Sequence, residues 1–162
     1  PPFHGGGEMI KDVTMEVSTY TCLPFKFEAG TPDIAGIIGL GAAVDFINSI
    51  GMQTIHDYEK ELVDYTIQRL SEFDEVEIYA KDAEHSGAVS FNLKFDGVHS
   101  SDVGMILDKK GIAVRTGHHC AQPIMHHFNI PGTVRASFAV YNTKEEIDTF
   151  IEGLKTAIRM LG

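Results

Sequence analysis

The residues best suited to chemistry lie in one short segment, Arg115–Pro123, which reads Arg-Thr-Gly-His-His-Cys-Ala-Gln-Pro. Cys120, one of two cysteines in the chain, directly follows His118 and His119 and lies five positions after Arg115. A thiol attacks as a nucleophile only in its thiolate form, which neighbouring cations stabilise. The glycines and the proline of this region are typical of an exposed loop, where scaffolds often carry reactive groups. The pattern predicts a nucleophilic cysteine.

Two other interpretations apply to the same cysteine. A cysteine without special context is most often a small buried apolar residue, and here the flanking basic residues favour the reactive interpretation. A metal site is the second alternative, since several potential ligands lie close together: His118, His119, Cys120, His126 and His127. Zinc sites usually separate paired ligands by roughly two to five residues. Because the side chains of adjacent histidines diverge, no metal site is predicted.

The composition is that of a globular protein without a surface for nucleic acid. Of the 162 residues, 43% are hydrophobic and 22% are charged, and the formal net charge is −10. A nucleic-acid partner requires a basic face, and no apolar run approaches the roughly 20 residues of a membrane span. Two cysteines far apart in the sequence make no disulfide framework, which predicts a reducing, cytoplasmic location. The chain begins without methionine, and we expect it to be part of a longer protein, here called the parent.

Two short strands are predicted to carry arginines towards Cys120. The first, residues 112–115, leads into the cysteine loop, and the second covers residues 133–138. Because side chains alternate along a strand, the apolar residues face the core, and Arg115 and Arg135 face away from it. If the two strands share a sheet, both guanidinium groups project from one face, where they could hold a carboxylate with a bidentate fork. Structural salt bridges are the alternative for each arginine.

The remaining periodicities predict an α+β fold, in which helices cover one face of a small, partly antiparallel sheet. Residues 34–50 form a helix that is apolar nearly all round, which predicts burial between domains or subunits. Thr31 suits the cap of this helix, whose N-terminus is also a natural seat for an anion. Amphipathic helices follow at residues 55–70 and after the capping box of Thr143 and Glu146.

These elements divide the chain into three parts. Residues 1–30 are predicted to be irregular. Residues 1–32 are predicted to be the remnant of a preceding domain, residues 33–50 a connecting buried helix, and residues 51–162 the small α+β domain. Cys22 lies in an apolar, uncharged stretch near the start, which predicts inert packing rather than reactivity.

The segment Arg115–Pro123 closely resembles the active-cysteine loop of SufS-type (group II) cysteine desulfurases, which belong to the class V aminotransferase family of pyridoxal-phosphate enzymes. Further segments resemble that family in the same order along the chain: Pro1–Ile10, Phe27–Pro32, Gly36–Ala42 and Arg135–Thr143. The resemblance extends over essentially the whole chain, which corresponds to the C-terminal portion of the family's proteins. It implies the small C-terminal domain of a fold-type I transferase, preceded at residues 1–32 by a tail of the large pyridoxal-phosphate domain.

The resemblance also implies an activity and roles for particular residues. Sulfur is released from L-cysteine to give L-alanine, is held as a persulfide, and passes to an acceptor protein for iron–sulfur cluster assembly. Cys120 matches the nucleophile and Arg135 the arginine that holds the substrate carboxylate. Arg115 and His118 line the same pocket. Thr31 matches a threonine that reaches the cofactor phosphate of the partner subunit in the family's homodimer.

One part of the family's machinery is missing from the chain. The lysine that binds the cofactor as a Schiff base lies in a Ser/Ala-His-Lys segment, and no lysine here has that context. The aspartate that holds the pyridine nitrogen and the histidine that stacks on the ring are expected outside the chain as well. We therefore expect the parent to be a cysteine desulfurase, and the isolated chain to be inactive.

The sequence is also compatible with functions of other kinds. A selenocysteine lyase-like enzyme of the same family would use the same thiolate, arginine and cofactor. A non-catalytic sulfur-relay or interaction module would use Cys120 alone and would have no need of Arg135 or Thr31. Zinc binding by the histidine-rich loop predicts stoichiometric metal in the purified protein.

Overall fold

Residues 1–50 form a unit of their own with almost no apolar core. In the computed structural model, which describes residues 1–162, strands β1 (Ile10–Val13) and β2 (Ser18–Tyr20) pair as an antiparallel hairpin. A 3-10 turn at Phe25–Phe27 and helix α1 (Ile34–Ile50) follow. Met9 is the only buried residue of this unit. The prediction that the chain begins with an irregular segment did not include this hairpin. Its strands do not alternate between buried and exposed residues, so the sequence carries no strand pattern there.

No residue of α1 is buried within the chain, although its faces are apolar. The burial of this helix between domains or subunits therefore stays a prediction. Cys22 is exposed, so the prediction that it is packed in an apolar setting is wrong for this chain. The cap of α1 also differs from the prediction. The carboxylate of Asp33 accepts a hydrogen bond from the backbone N–H of Gly36 at 3.0 Å, which leaves Thr31 outside the helix.

Residues 51–162 form the second unit. Its helices are α2 (Met52–Leu70), α3 (Ser100–Asp108), α4 (Gln122–Phe128) and α5 (Lys144–Leu161). Its strands are β3 (Val76–Ile78), β4 (Ala88–Leu93), β5 (Arg115–Gly117) and β6 (Thr133–Ser137). The chain makes no division at residue 32, and the assignment of residues 1–32 to a larger domain and of 33–50 to a connecting helix stays a prediction.

The four strands form one sheet in the order β3-β4-β6-β5, and every neighbouring pair is antiparallel. This confirms the predicted α+β class with a small sheet, which is antiparallel throughout rather than in part. The core lies between one face of the sheet and helices α2, α3 and α5. Strand β4 supplies Val89, Phe91 and Leu93 to it, and α5 supplies Ile147, Ile151 and Leu154. The opposite face of the sheet is therefore free to carry polar side chains.

The strand predicted at residues 112–115 begins only at Arg115. Residues 112–114 are not hydrogen-bonded into the sheet, and they line a cavity together with Ser137 and Phe138. The predicted alternation is nevertheless present, because Ile112 and Val114 are half-buried whereas Ala113 and Arg115 are exposed. The predicted alternation of buried and exposed side chains is therefore confirmed, whereas the predicted hydrogen-bonded strand over residues 112–114 is wrong.

No single helix of the structure is long and apolar enough to cross a membrane.

Candidate active site

Strands β5 and β6 place two arginines directly opposite one another. Arg115 of β5 pairs in register with Arg135 of β6. Directly opposite residues of an antiparallel pair project from the same face of the sheet. Val134 and Ala136, on either side of Arg135, are buried, so the two arginines lie on the face away from the helical core. The strands share a sheet as the sequence analysis required, and the two guanidinium groups share a face.

Neither of these arginines has an acidic partner within the chain. The five salt bridges of the structure involve Lys60, Arg69, Lys144 and Lys155 as their cations. The buried Nε of Arg135 has no hydrogen-bond partner at all. An unpaired buried donor is costly unless something outside the chain satisfies it. The structural salt bridges considered for these arginines are therefore absent, and the pair is available to an anion.

The loop after β5 turns sharply and presents Cys120 at its tip. His119 and Cys120 both adopt left-handed backbone conformations, with φ of 54° and 59°. The turn is closed by the backbone N–H of Ala121, which donates to the carbonyl of His118 at 2.8 Å. Left-handed conformations cost residues with a Cβ roughly 1–2 kcal/mol each. Two in succession therefore need support from the surroundings of the loop.

The thiol of Cys120 is exposed and lies against a guanidinium group. Arg115 Nη2 donates to Cys120 Sγ at 3.9 Å. His118 contacts the same residue through the backbone, since its Nδ1 accepts from the N–H of Cys120 at 3.1 Å. That bond requires an unprotonated Nδ1, so Arg115 is the cation at the sulfur in this arrangement. The prediction of an exposed cysteine beside a cation agrees with this geometry.

His119 points the other way, onto strand β6. Its Nε2 lies 3.1 Å from the carbonyl oxygen and 2.9 Å from the hydroxyl oxygen of Thr133. Burial lowers the pKa of His119 below its ordinary value of 6.5, and the nearby positive charges of Arg135 and Arg115 act in the same direction. The hydrogen bond to Thr133 opposes this shift without reversing it. The ring is therefore neutral at neutral pH, and it braces the loop rather than charging it.

Two glycines allow the base of the loop to approach strand β6 closely. A Cβ placed on Gly132 would lie 2.7 Å from the carbonyl carbon of Gly117, a distance that real Cβ atoms do not reach. Gly117 itself has a φ of 108°, in the region that favours glycine. Asn92 of β4 holds the other side of this contact, since its amide donates to the Gly132 carbonyl at 2.8 Å.

The histidine-rich loop does not gather metal ligands. No three side chains of His, Cys, Asp or Glu lie together in a way that could hold a metal ion. His118 and His119 diverge, one bonded to the backbone of Cys120 and the other to Thr133.

Thr31, the remaining residue singled out from the sequence, belongs to the first unit. It is exposed, and it lies between Gly30, which has a φ of 78°, and Pro32. Its hydroxyl is not used to cap α1, because Asp33 takes that position.

The profile of the Aminotransferase class-V family matches residues 1–150. The chain belongs to this family. Over its whole length it is 45% identical to a cysteine desulfurase of Serratia proteamaculans, and 48% identical to a probable cysteine desulfurase of Streptomyces coelicolor. It spans 39% of the length of each of these relatives.

Two solved structures of cysteine desulfurases have the same fold as the chain. The cysteine desulfurase CsdA from Escherichia coli superposes with a TM-score of 0.86 at 34% identity, over 99% of this chain and 39% of that one. The apo cysteine desulfurase of Thermococcus onnurineus superposes with a TM-score of 0.83 at 44% identity, over 99% of this chain and 40% of that one.

The structure brings together most of the site residues chosen from the sequence, and it adds others that the sequence analysis missed. Arg115, His118, Cys120 and Arg135 come from the paired strands and the loop that they carry. The residues missed are those that support the loop: His119 in its bracing role, Asn92, Gly132 and Thr133. Thr133 lies two positions before Arg135 in β6, so its side chain is expected on the same face of the sheet. This spacing was the only feature of the sequence that could have indicated its role.

Substituting Gly132 tests the close approach at the base of the loop. We expect Gly132→Ala to lower the free energy of unfolding by about 1–3 kcal/mol, because the new methyl group meets backbone that cannot rotate away. Urea unfolding measures the change. Gly5→Ala is the matched control, since a Cβ at Gly5 meets nothing within 4 Å. Equal stabilities of the two variants would show that the contact is not tight.

The lowered pKa of His119 predicts a pH dependence of stability. Below about pH 6.5 the unfolded chain binds a proton at this histidine more readily than the folded protein does. The stabilisation that results from the lowered pKa of His119 is therefore fully present above about pH 6.5. It is lost as the pH falls through the lowered pKa of the folded protein. Between about pH 7.5 and about pH 5, the wild type should lose more stability in urea unfolding than His119→Gln does. Parallel losses in the two proteins would contradict the shift.

Proposed function

We propose that the parent is a SufS-type (group II) pyridoxal-phosphate-dependent cysteine desulfurase, a transferase in which Cys120 is the nucleophile. The observation that carries this proposal is the exposed thiol of Cys120, which lies 3.9 Å from Nη2 of Arg115. Arg115 is paired with Arg135, and neither arginine has an acidic partner in the chain. A reactive sulfur beside an unoccupied anion-binding surface suits an amino-acid substrate that carries both a thiol and a carboxylate.

The arginine pair would orient the substrate. Arg135 is half-buried, its Nε lacks a partner, and its planar fork can bind a carboxylate with two parallel hydrogen bonds. Arg115 is exposed and adjacent, so it can contact both the substrate and the sulfur of Cys120. A carboxylate fixed in this way would place the substrate thiol towards the tip of the loop. His118 contributes by orienting the backbone of Cys120.

The proposed reaction moves one sulfur atom and balances without an added oxidant. The thiolate of Cys120 forms a bond to the sulfur of L-cysteine, and the carbon–sulfur bond of the substrate breaks. The carbon keeps the electron pair and takes a proton, which gives L-alanine. Cys120 is left as a persulfide anion. Pyridoxal phosphate would supply the electron sink that makes the carbon–sulfur bond labile.

Within this chain, Thr31 is the residue that suits the cofactor phosphate. Its hydroxyl is exposed and is not used in capping α1, so it is free to donate to an anion. The chain fits the cofactor only in part, because none of its lysines follows a histidine as in the family's cofactor segment. We therefore propose that the 162 residues alone do not desulfurate cysteine, and that Thr31 acts on the cofactor of a second subunit in a homodimer.

The same proposal names the partners and the setting. A persulfide at an exposed loop tip is accessible to an acceptor protein, and we propose that this acceptor supplies sulfur for iron–sulfur cluster assembly. The exposed apolar surface of α1 is consistent with burial in the parent or its dimer. Two free cysteines and a thiolate nucleophile suit the reducing cytoplasm.

The nucleophile is tested in the parent loaded with pyridoxal phosphate. Cys120→Ser should abolish the formation of alanine from L-cysteine, because the hydroxyl is far less nucleophilic than the thiolate. Cys22→Ser is the matched control and should retain activity. The isolated chain, mixed with pyridoxal phosphate and L-cysteine, should form no alanine. Full activity of Cys120→Ser would overturn the assignment.

The carboxylate site is tested by kinetics of Arg135 variants in the parent. Arg135→Ala should raise the KM for L-cysteine about 10- to 100-fold, since charge-assisted hydrogen bonds contribute about 1.5–3 kcal/mol. Arg135→Lys should recover only part of the loss, because lysine lacks the planar fork. Arg159→Ala, at an exposed position near the end of α5, is the control. A KM unchanged in Arg135→Ala would remove the carboxylate role.

A further inference from the structure

The ring of His119 joins the reactive loop to the sheet at the point where the loop is most strained. His119 and Cys120 occupy left-handed conformations that residues with a Cβ disfavour. Between these residues and β6, the ring provides two polar contacts, to the carbonyl and the hydroxyl oxygens of Thr133. Thr133 is buried in the first position of β6, so it is a fixed anchor.

We propose that His119 is a positioning residue for the nucleophile. By donating from Nε2 to Thr133, it holds the loop in the conformation that keeps Cys120 Sγ beside the guanidinium group of Arg115. His119 acts through Cys120 and Arg115, and it neither touches the sulfur nor transfers a proton. The adjacent His118 has a separate task, because its Nδ1 accepts from the N–H of Cys120.

The hydrogen-bond geometry fixes which nitrogen of His119 carries the proton. A carbonyl oxygen can only accept, so its 3.1 Å separation from Nε2 identifies Nε2 as the donor. The other nitrogen, Nδ1, is buried and has no partner. A charged ring would place a second donor there without an acceptor, next to Arg135 and Arg115. The lowered pKa of His119 has the same cause, since burial and these cations disfavour the charged ring.

The brace continues into the sheet beyond Thr133. The carbonyl of Gly132 accepts from the Asn92 side chain at 2.8 Å, and the same Asn92 amide donates to the hydroxyl of Tyr79 at 3.2 Å. Residues 132 and 133 are therefore held from β4 on one side while they receive the loop on the other. A loop anchored to such a segment keeps its tip in place, as catalysis by a positioned group requires.

The test compares two replacements of similar length in the parent loaded with pyridoxal phosphate. His119→Gln keeps a donor that can reach Thr133, whereas His119→Met fills the same space without one. We expect His119→Met to lower kcat for L-cysteine about 10-fold or more, with KM changed less than 2-fold, because Arg135 still holds the carboxylate. His119→Gln should recover most of kcat. His56→Met, at an exposed position of α2, should leave both constants unchanged.

A second readout does not depend on the proposed function. The rate of alkylation of Cys120 by iodoacetamide, measured at one pH by peptide mass spectrometry, should fall at least about 3-fold in His119→Met and return in His119→Gln. Arg115→Met should lower the alkylation rate similarly. The rate of the double variant should be no lower than that of either single variant, since both substitutions remove the same contact between Arg115 and Cys120. If the parent proves to have no desulfurase activity, these alkylation rates still decide the proposal about His119.

Three results would overturn the proposal. Equal kcat and alkylation rates in His119→Met and His119→Gln would show that the ring only fills space. Additive losses in the double variant with Arg115→Met would show that His119 does not act through that contact. A loss confined to KM would place His119 in substrate binding. If His119→Met fails to fold, His119→Asn replaces it, because its amide is too short to reach Thr133.

Discussion

The site depends on a pairing that the backbone imposes and the charges oppose. Arg115 and Arg135 are directly opposite on neighbouring antiparallel strands, an arrangement that destabilises a sheet when both side chains are positive. A slip of one residue would turn a side chain to the opposite face, and the buried Val134 and Ala136 prevent it. The apolar core thus pins the register that keeps two unpaired cations together. An anion between them would relieve the repulsion.

The loop that carries Cys120 depends on the same sheet for its shape. It leaves β5 at Gly117, where the backbone lies against Gly132, and it returns to β6 through the ring of His119. The cysteine is therefore exposed and yet attached to a rigid scaffold at both sides of the turn. In chemical terms the fold separates two tasks. In the proposed function, the sheet would fix where an anionic substrate lies, and the braced loop would fix where the sulfur of Cys120 meets it.

The features that the sequence predicted well were local. Parity along a strand is a property of the backbone, so Arg135 could be assigned to the polar face from its apolar neighbours alone. The predicted capping box of Thr143 and Glu146 is also present, because it depends only on residues three positions apart in the sequence. The errors arose where a distant partner decides. Residues 112–114 are not hydrogen-bonded into the sheet, although their apolar alternation predicted a strand. His118 and His119 look equivalent in the sequence, but the turn at Cys120 sends them to different partners.

The most direct measurement of the central claim is the location of the transferred sulfur. The parent, loaded with pyridoxal phosphate, is mixed with L-cysteine, trapped with an alkylating agent and digested, and its peptides are sequenced by mass spectrometry. The account predicts one additional sulfur atom on Cys120, formed in step with alanine, and none on Cys22. Alanine formed while Cys120 stays unmodified throughout the reaction would contradict it.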